Sequence, residues 1–475
     1  MNSKPLTYDS LKTVILYMDP NTRILLFSRI PSIRTAERAV PLKIDQLLIG
    51  SHFIEVNQTT YEYGIYQVDR KDKVPCLMSG RSELNYKWTC NVNEFGMRDY
   101  ITKAGGMLPG NNGLYERNLF GFHDLENIPT NEGRLQKLKK RLKIEKQRYN
   151  QLLNYRPKEK QVSDEKNDSI EFLRFKYYIC NQEDATGLFD NEALELLKNE
   201  EMVKKGIEHM NEIIKKMENE LLPFENKRKN NRPKLEVHVT KEQGFNGPCV
   251  IIERVKYTGD LHKAEECLRD FMFSKRRHAV VVNKFNIHKP KCPIQMHRDL
   301  KIKIKKLLVM PSLSSNLEIV KQIVDTSSLP LKELIISVDP GDSQQLDFEF
   351  IGYFKFVLVA AIASLRLPLF LGIQNQKVNF DYVDDEFLQS GDFLVLIRSW
   401  VETNKPIGTI FKFFISDRRE ETASQILNFV RDGIVHATVG DKCVNIPMRT
   451  SSILKISYKC YKFHSTITMR VVPLD

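Results

Sequence analysis

Val282-Asn283-Lys284-Phe285-Asn286-Ile287, Ile304-Lys305-Lys306-Leu307-Leu308-Val309 and Leu331-Lys332-Glu333-Leu334-Ile335-Ile336 are three copies of one apolar hexamer, with apolar residues at positions one, four and six. Ile44-Asp45-Gln46-Leu47-Leu48-Ile49 repeats it far upstream. On a strand, positions four and six share one face. Each copy therefore predicts a strand with at least one buried face. The pattern Lys301, Lys303, Lys305 against Ile302 and Ile304 adds a wet face on the other side.

The first three copies are separated by about 22 and 27 residues, inside the period of leucine-rich repeats, which place one parallel strand per repeat with a helix returning behind it. A helix over 316–325, with Val320, Ile323 and Val324 on one side, stands where a returning helix belongs. The asparagine of the full repeat signature is missing after each strand. The expectation is an α/β (α+β) chain with an open, repeat-like strand–helix sheet. Further on, a helix over 392–403 carries Phe393, Leu396, Ile397, Trp400 and Val401 on one side. Another, over 418–432, carries Ala423, Ile426, Leu427 and Val430 and ends at Gly433. Leu454, Ile456 and Tyr458 against Ile467, Met469 and Val471 predict a closing hairpin.

Upstream, residues 131–233 are highly charged and poor in glycine and proline. Val203, Ile207, Met210, Ile214, Met217 and Leu221 alternate steps of four and three, a heptad seam. Leu135, Leu138, Leu142, Tyr149 and Leu152 form a poorer seam before it, and the polar stretch Ser163–Asn167 reads as the turn of an antiparallel helical hairpin. Residues 42–130 read as short strands, including 44–49 and 59–66, with a glycine-rich loop at Gly105–Gly113. Residues 1–41 read as three short helices divided by Pro20 and Pro31. The expected division is thus 1–41, 42–130, 131–233 and 234–475.

Chemical motifs are sparse. The Gly105–Gly113 loop lacks the lysine and hydroxyl of a phosphate-binding loop, and no zinc-protease, serine-hydrolase or kinase signature occurs. Asp384, Asp385 and Glu386 precede an apolar helix, where carboxylates complement the helix dipole. His288, Cys292 and His297 are the strongest zinc candidates, but three ligands in a loop fall short of the four a structural site uses. The reading is a non-enzyme with no cofactor and no metal. The 8 cysteines are scattered without close pairs. The opening has no signal-peptide pattern, and the apolar run at 356–365 is too short to span a bilayer. An intracellular protein, cytoplasmic or nuclear and without a membrane partner, is expected. The net charge of +12 and basic clusters at 134–160, at Lys227, Arg228, Lys229, Arg232 and Lys234, and at Lys275-Arg276-Arg277 make nucleic acid an alternative partner through the helices of 131–233. A scaffold dimerising through the 203–221 seam is a third reading.

The opening Lys4-Pro5-Leu6-Thr7-Tyr8-Asp9-Ser10-Leu11-Lys12, then Tyr17–Arg23, Arg29–Arg34 and Ala39–Leu42, resembles the nematode F-box C family. Tyr61–Tyr66, Glu253–Tyr257, Trp400–Gly408 and Met469–Pro473 extend the resemblance in the same order over nearly the whole chain. It implies a helical F-box-like segment that docks by apolar helix faces onto the small adaptor subunit of a cullin-type ubiquitin ligase. A large associated domain would then present an unknown protein substrate. The positions that would carry docking are Leu11, Val14, Ile15, Met18, Leu25 and Phe27.

Overall fold

A computed structural model describes residues 7–50, 52–69, 75–80, 90–98, 131–157, 165–181, 187–244, 249–288, 300–310, 313–338, 346–361, 366–417, 419–449, 451–462 and 464–474. Helices α1 (Tyr8–Tyr17), α2 (Pro20–Arg29) and α3 (Arg34–Arg38) lead into strands β1 (Lys43–Gly50), β2 (Phe53–Val56), β3 (Thr59–Gln67) and β4 (Cys76–Ser79). Helices α4 (Asn131–Asn154), α5 (Glu165–Asn181), α6 (Asn191–Glu195) and α7 (Glu200–Arg228) follow, then β5 (Leu235–Gln243), β6 (Val250–Lys256) and α8 (Leu261–Phe273). Next come β7 (Val280–His288), β8 (Ile302–Met310), α9 (Leu313–Ile323), β9 (Leu331–Val338), α10 (Phe348–Gly352), β10 (Phe354–Ala361), α11 (Leu367–Gly372) and β11 (Lys377–Asp381). The chain closes with α12 (Asp385–Leu388), α13 (Gly391–Glu402), β12 (Ile410–Ile415), α14 (Glu420–Gly433), β13 (Thr438–Gly440), β14 (Cys443–Pro447), β15 (Ser452–Cys460) and β16 (Ser465–Pro473).

Two compact units emerge. One joins residues 1–60 to 266–475; the other is 61–265. The fourfold division expected from composition follows the changing character of the chain. The units follow pairing, because β1 lies parallel to β7 and so ties the N-terminal segment to the C-terminal half.

In the first unit, β1, β7, β8, β9, β10, β11 and β12 are parallel neighbours in chain order. Antiparallel β2 flanks β1, and β16, β15, β14 and β13 continue beyond β12. The hexamers stand in register. Leu47, Phe285, Leu307, Leu334, Val357, Val378 and Phe411 form one cross-strand row. Ile49, Ile287, Val309, Ile336, Val359, Phe380 and Phe413 form the next. Both rows are buried, and the position-one residues Ile44, Val282 and Ile304 are buried on the opposite face at the start of their strands. The helices α9 to α13 fill the connections between these strands. Their aromatic layer, in which Phe370 and Phe393 meet Phe413 and Trp400 meets Phe411, covers the last two parallel strands. A leucine-rich-repeat unit asks for more than this ladder, since among the described residues the connections from β8 onward vary from one helix to two. The predicted helices at 316–325, 392–403 and 418–432 are α9, α13 and α14, and the predicted hairpin is β15–β16.

In the second unit, β3 pairs with β4 and β5 with β6, both antiparallel. Helices α4 and α7 pack antiparallel: Leu138 and Leu142 meet Ile214 and Met217, and Lys146 Nζ lies 2.7 Å from Glu218 Oε1. The expected turn at 163–167 is corrected in part. Glu165–Asn167 open α5, because Phe175 and Ile179 further along pack against Leu152, Met202 and Met210 and hold the segment as a third helix. The Gly105–Gly113 loop lies outside the described residues.

Candidate docking site on the N-terminal helices

Helix α1 begins where Thr7 Oγ1 accepts the Ser10 amide at 3.2 Å, and α2 where Asp19 Oδ2 accepts the Thr22 amide at 3.0 Å. Pro20 supplies the preset first turn of α2. From α1, Ile15 is buried against Ala36 and Val40, with Leu11 beside it.

Helix α2 is held by polar as well as apolar groups. Asn21 Nδ2 donates to the Val56 carbonyl at 3.0 Å. Arg23 donates from Nη2 to Glu37 Oε1 at 2.9 Å and from Nη1 to the Pro41 carbonyl at 2.8 Å. Arg276 reaches the same Glu37 oxygen at 2.8 Å and donates to the Met272 carbonyl at 2.9 Å. All three side chains are buried. Burial lowers the Arg23 guanidinium below its ordinary value, and Glu37 opposes the shift. A carboxylate shared by two buried guanidiniums in this way is costly to break from one side. Phe27 completes the seat. Its ring lies 4.5 Å from that of Phe271, with the guanidiniums of Arg34 and Arg38 over it at 5.5 and 5.2 Å.

The six apolar positions predicted for docking therefore divide. Ile15 and Phe27 are buried within the chain; Leu11, Met18 and Leu25 are half-buried; Val14 is exposed. Sequence reasoning passed over Tyr17, which is 83% exposed against 46% for Val14 and stands one turn further along the same side of α1. Tyr8, Leu16 and Ile30 are also exposed. The i, i+3 relation of Val14 to Tyr17 was legible, but periodicity alone does not say which apolar positions of α1 the chain itself covers.

Elsewhere, Val203, Met210, Ile214 and Met217 of the α7 seam are buried and Ile207 and Leu221 half-buried, with α4 of the same chain against them. The basic stretch of α4 is partly internal. Arg141 Nε lies 2.7 Å and Arg148 Nη1 3.4 Å from Glu145 Oε1, and the Arg148 guanidinium also sits over Phe189. Lys227 and Arg228 in the last turn of α7, and Arg232 just beyond it, are exposed and form no ion pair among the described residues. Asp384 caps α12, accepting the Glu386 amide at 3.1 Å, the structural role expected of that acidic run. Among the described residues no group of His, Cys, Asp and Glu is arranged to hold a metal, and no helix is long and apolar enough to cross a membrane. Cys292 and His297 of the zinc candidate lie outside the described residues.

Residues 260–417, from α8 to just past β12, match a family described as a domain of unknown function (DUF3557). No curated protein and no solved structure matches the chain. The match falls on the parallel ladder and brings no activity with it.

Proposed function

We propose that the chain is a non-catalytic interaction protein of the nematode F-box C type. In this reading α1 docks on the small adaptor subunit of a cullin-type ubiquitin ligase, and the rest of the chain presents a protein substrate. The observation that carries the reading is the outward face of α1. Val14 and Tyr17 stay exposed on a helix whose neighbours α2 and α3 are fixed by the Arg23–Glu37–Arg276 network. Apolar side chains held in water on a rigid mount are what a partner's groove buries.

Purified chain and adaptor subunit should co-elute on size exclusion. The double substitution Val14→Asp/Tyr17→Asp should separate them with the melting temperature unchanged, because both side chains are exposed. Ile15→Asp is a poor test, since Ile15 belongs to the internal cluster with Ala36 and Val40. Continued co-elution of the double variant would remove the reading's structural basis.

A nucleic-acid reading is supported by the exposed Lys227, Arg228 and Arg232 and by Lys139, Lys140 and Lys143, exposed on α4. Retention of the chain on nucleic acid that falls steeply with salt, and that is lost when these side chains become glutamine, would favour it. The scaffold reading meets a seam already covered by α4.

A further inference from the structure

A helix on the surface of a globular protein needs one apolar stripe, facing its own chain. Helix α5 has two. Phe172, Phe175 and Ile179 turn inward to Leu152, Met202, Met210 and Phe189. On the opposite side Ile170, Leu173 and Tyr177 are 52%, 63% and 70% exposed. Isolated exposed apolar residues are ordinary. Three at i, i+3 and i+7 form a continuous line of about 10 Å along the helix, with the spacing of anchors by which one helix docks on another.

The rim of this line is cationic. Arg174 stands exposed between Leu173 and Tyr177, and Lys176 lies with its Nζ 5.2 Å from the Phe172 ring centroid. Glu171, which lies between Ile170 and Leu173 in sequence, is mostly covered and already engaged by Arg174 at 3.3 Å and Lys198 at 3.5 Å.

We infer that the Ile170–Leu173–Tyr177 stripe receives an amphipathic helix of a partner protein, apolar on the facing side and acidic at its edges. The inference deepens the adaptor reading and rests on it for regarding that helix as substrate. Charge decides against a second copy of this chain, because self-association would bring two Arg174-bearing rims together. Area agrees. Side chains of this size carry about 150–200 Å² each, so the exposed parts sum to roughly 350 Å², against about 800 Å² per partner for a standard stable interface. That extent suits a transient encounter.

The test uses the full chain and a fluorescent synthetic helix about four turns long, with leucines at i, i+3, i+4 and i+7 and glutamates beside them. A control peptide carries lysines in place of the glutamates. The chain should bind the glutamate peptide saturably and at least tenfold more tightly than the control. Leu173→Asp and Tyr177→Asp should each weaken binding at least tenfold without moving the melting temperature, and Arg174→Glu should reverse the peptide preference. Equal affinity for both peptides, or full binding by Leu173→Asp, would overturn the inference. So would concentration-dependent dimerisation abolished by Leu173→Asp, which would give the stripe to a second copy. Slow amide exchange across the outward side of α5 in the free chain would overturn it as well, by giving the stripe to the chain itself. The ligase-adaptor assay run in parallel separates the two readings. Leu173→Asp should still co-elute with the adaptor subunit, and Val14→Asp/Tyr17→Asp should still bind the peptide.

Discussion

Helices α1 and α2 are adjacent, each ten residues long, and each opened by a side-chain cap. Their inner faces are built in opposite ways. Helix α1 buries one residue, Ile15, and leaves Tyr8, Val14, Leu16 and Tyr17 in water. Helix α2 buries Asn21 and Arg23 along with Ile24 and Phe27. The helix richer in apolar residues is the one less used by its own fold. On the proposed reading, that spare apolarity of α1 is what a partner would cover, while hydrogen bonds and ion pairs fix α2 as the mount.

The largest effect expected from this contrast is at Glu37. Replacing it with alanine leaves Arg23 and Arg276 buried without their carboxylate, and should cost about 3–5 kcal/mol of unfolding free energy. Urea denaturation followed by circular dichroism would measure it; a loss under 1 kcal/mol would show that water replaces the carboxylate and that the mount is looser than the geometry implies. Ile15→Ala comes next, at about 2–4 kcal/mol for a buried isoleucine truncated to alanine. Because α1 has no other fully buried side chain, the loss should be local, seen as faster amide exchange in 8–17 with the parallel ladder unchanged. Global unfolding would mean that α1 is coupled to the ladder as tightly as α2. Smaller again is Tyr17→Ala, which should move stability by no more than about 0.5 kcal/mol while weakening adaptor binding. A stability loss as large as that at Ile15 would place Tyr17 inside the fold and remove the contrast.

The ladder was legible from sequence because its signal is local and repeated. Three hexamers and their upstream copy fall in register, and Phe354-Lys355-Phe356-Val357-Leu358-Val359 continues them one strand further. The arrangement of the N-terminal helices was legible only in part. Six apolar positions do not reveal which side of a short helix its own chain will cover, and the seat of α2 draws on remote positions, Phe271 against Phe27 and Arg276 on the Glu37 that Arg23 shares, both over two hundred residues away in sequence. Buried arginine and glutamate read in sequence as solvent-facing charge, so the third basic cluster concealed a structural residue. Helix α5 failed for a related reason. Two opposed apolar stripes blur the one-sided periodicity by which a helix is recognised, and its polar start reads as a turn.

The cap substitutions, small in energy, sharpen the comparison most. Thr7→Ala and Asp19→Ala each remove one cap bond of the same kind, to the Ser10 and Thr22 amides. Each should cost about 0.5–1 kcal/mol. If burial and not capping holds α2, the two losses should look different in amide exchange. Helix α1, seated by Ile15 alone, should fray from its first turn in Thr7→Ala. Helix α2, held by Asn21 to the Val56 carbonyl and by Arg23 to Glu37, should keep its exchange rates in Asp19→Ala and show the loss only in global stability. Equal fraying would mean that the polar network orients α2 without holding it, and the rigid mount assumed for the α1 face would fail. Fraying in α1 alone, with weaker adaptor binding in Thr7→Ala, would show that the partner reads Val14 and Tyr17 as presented by an intact helix.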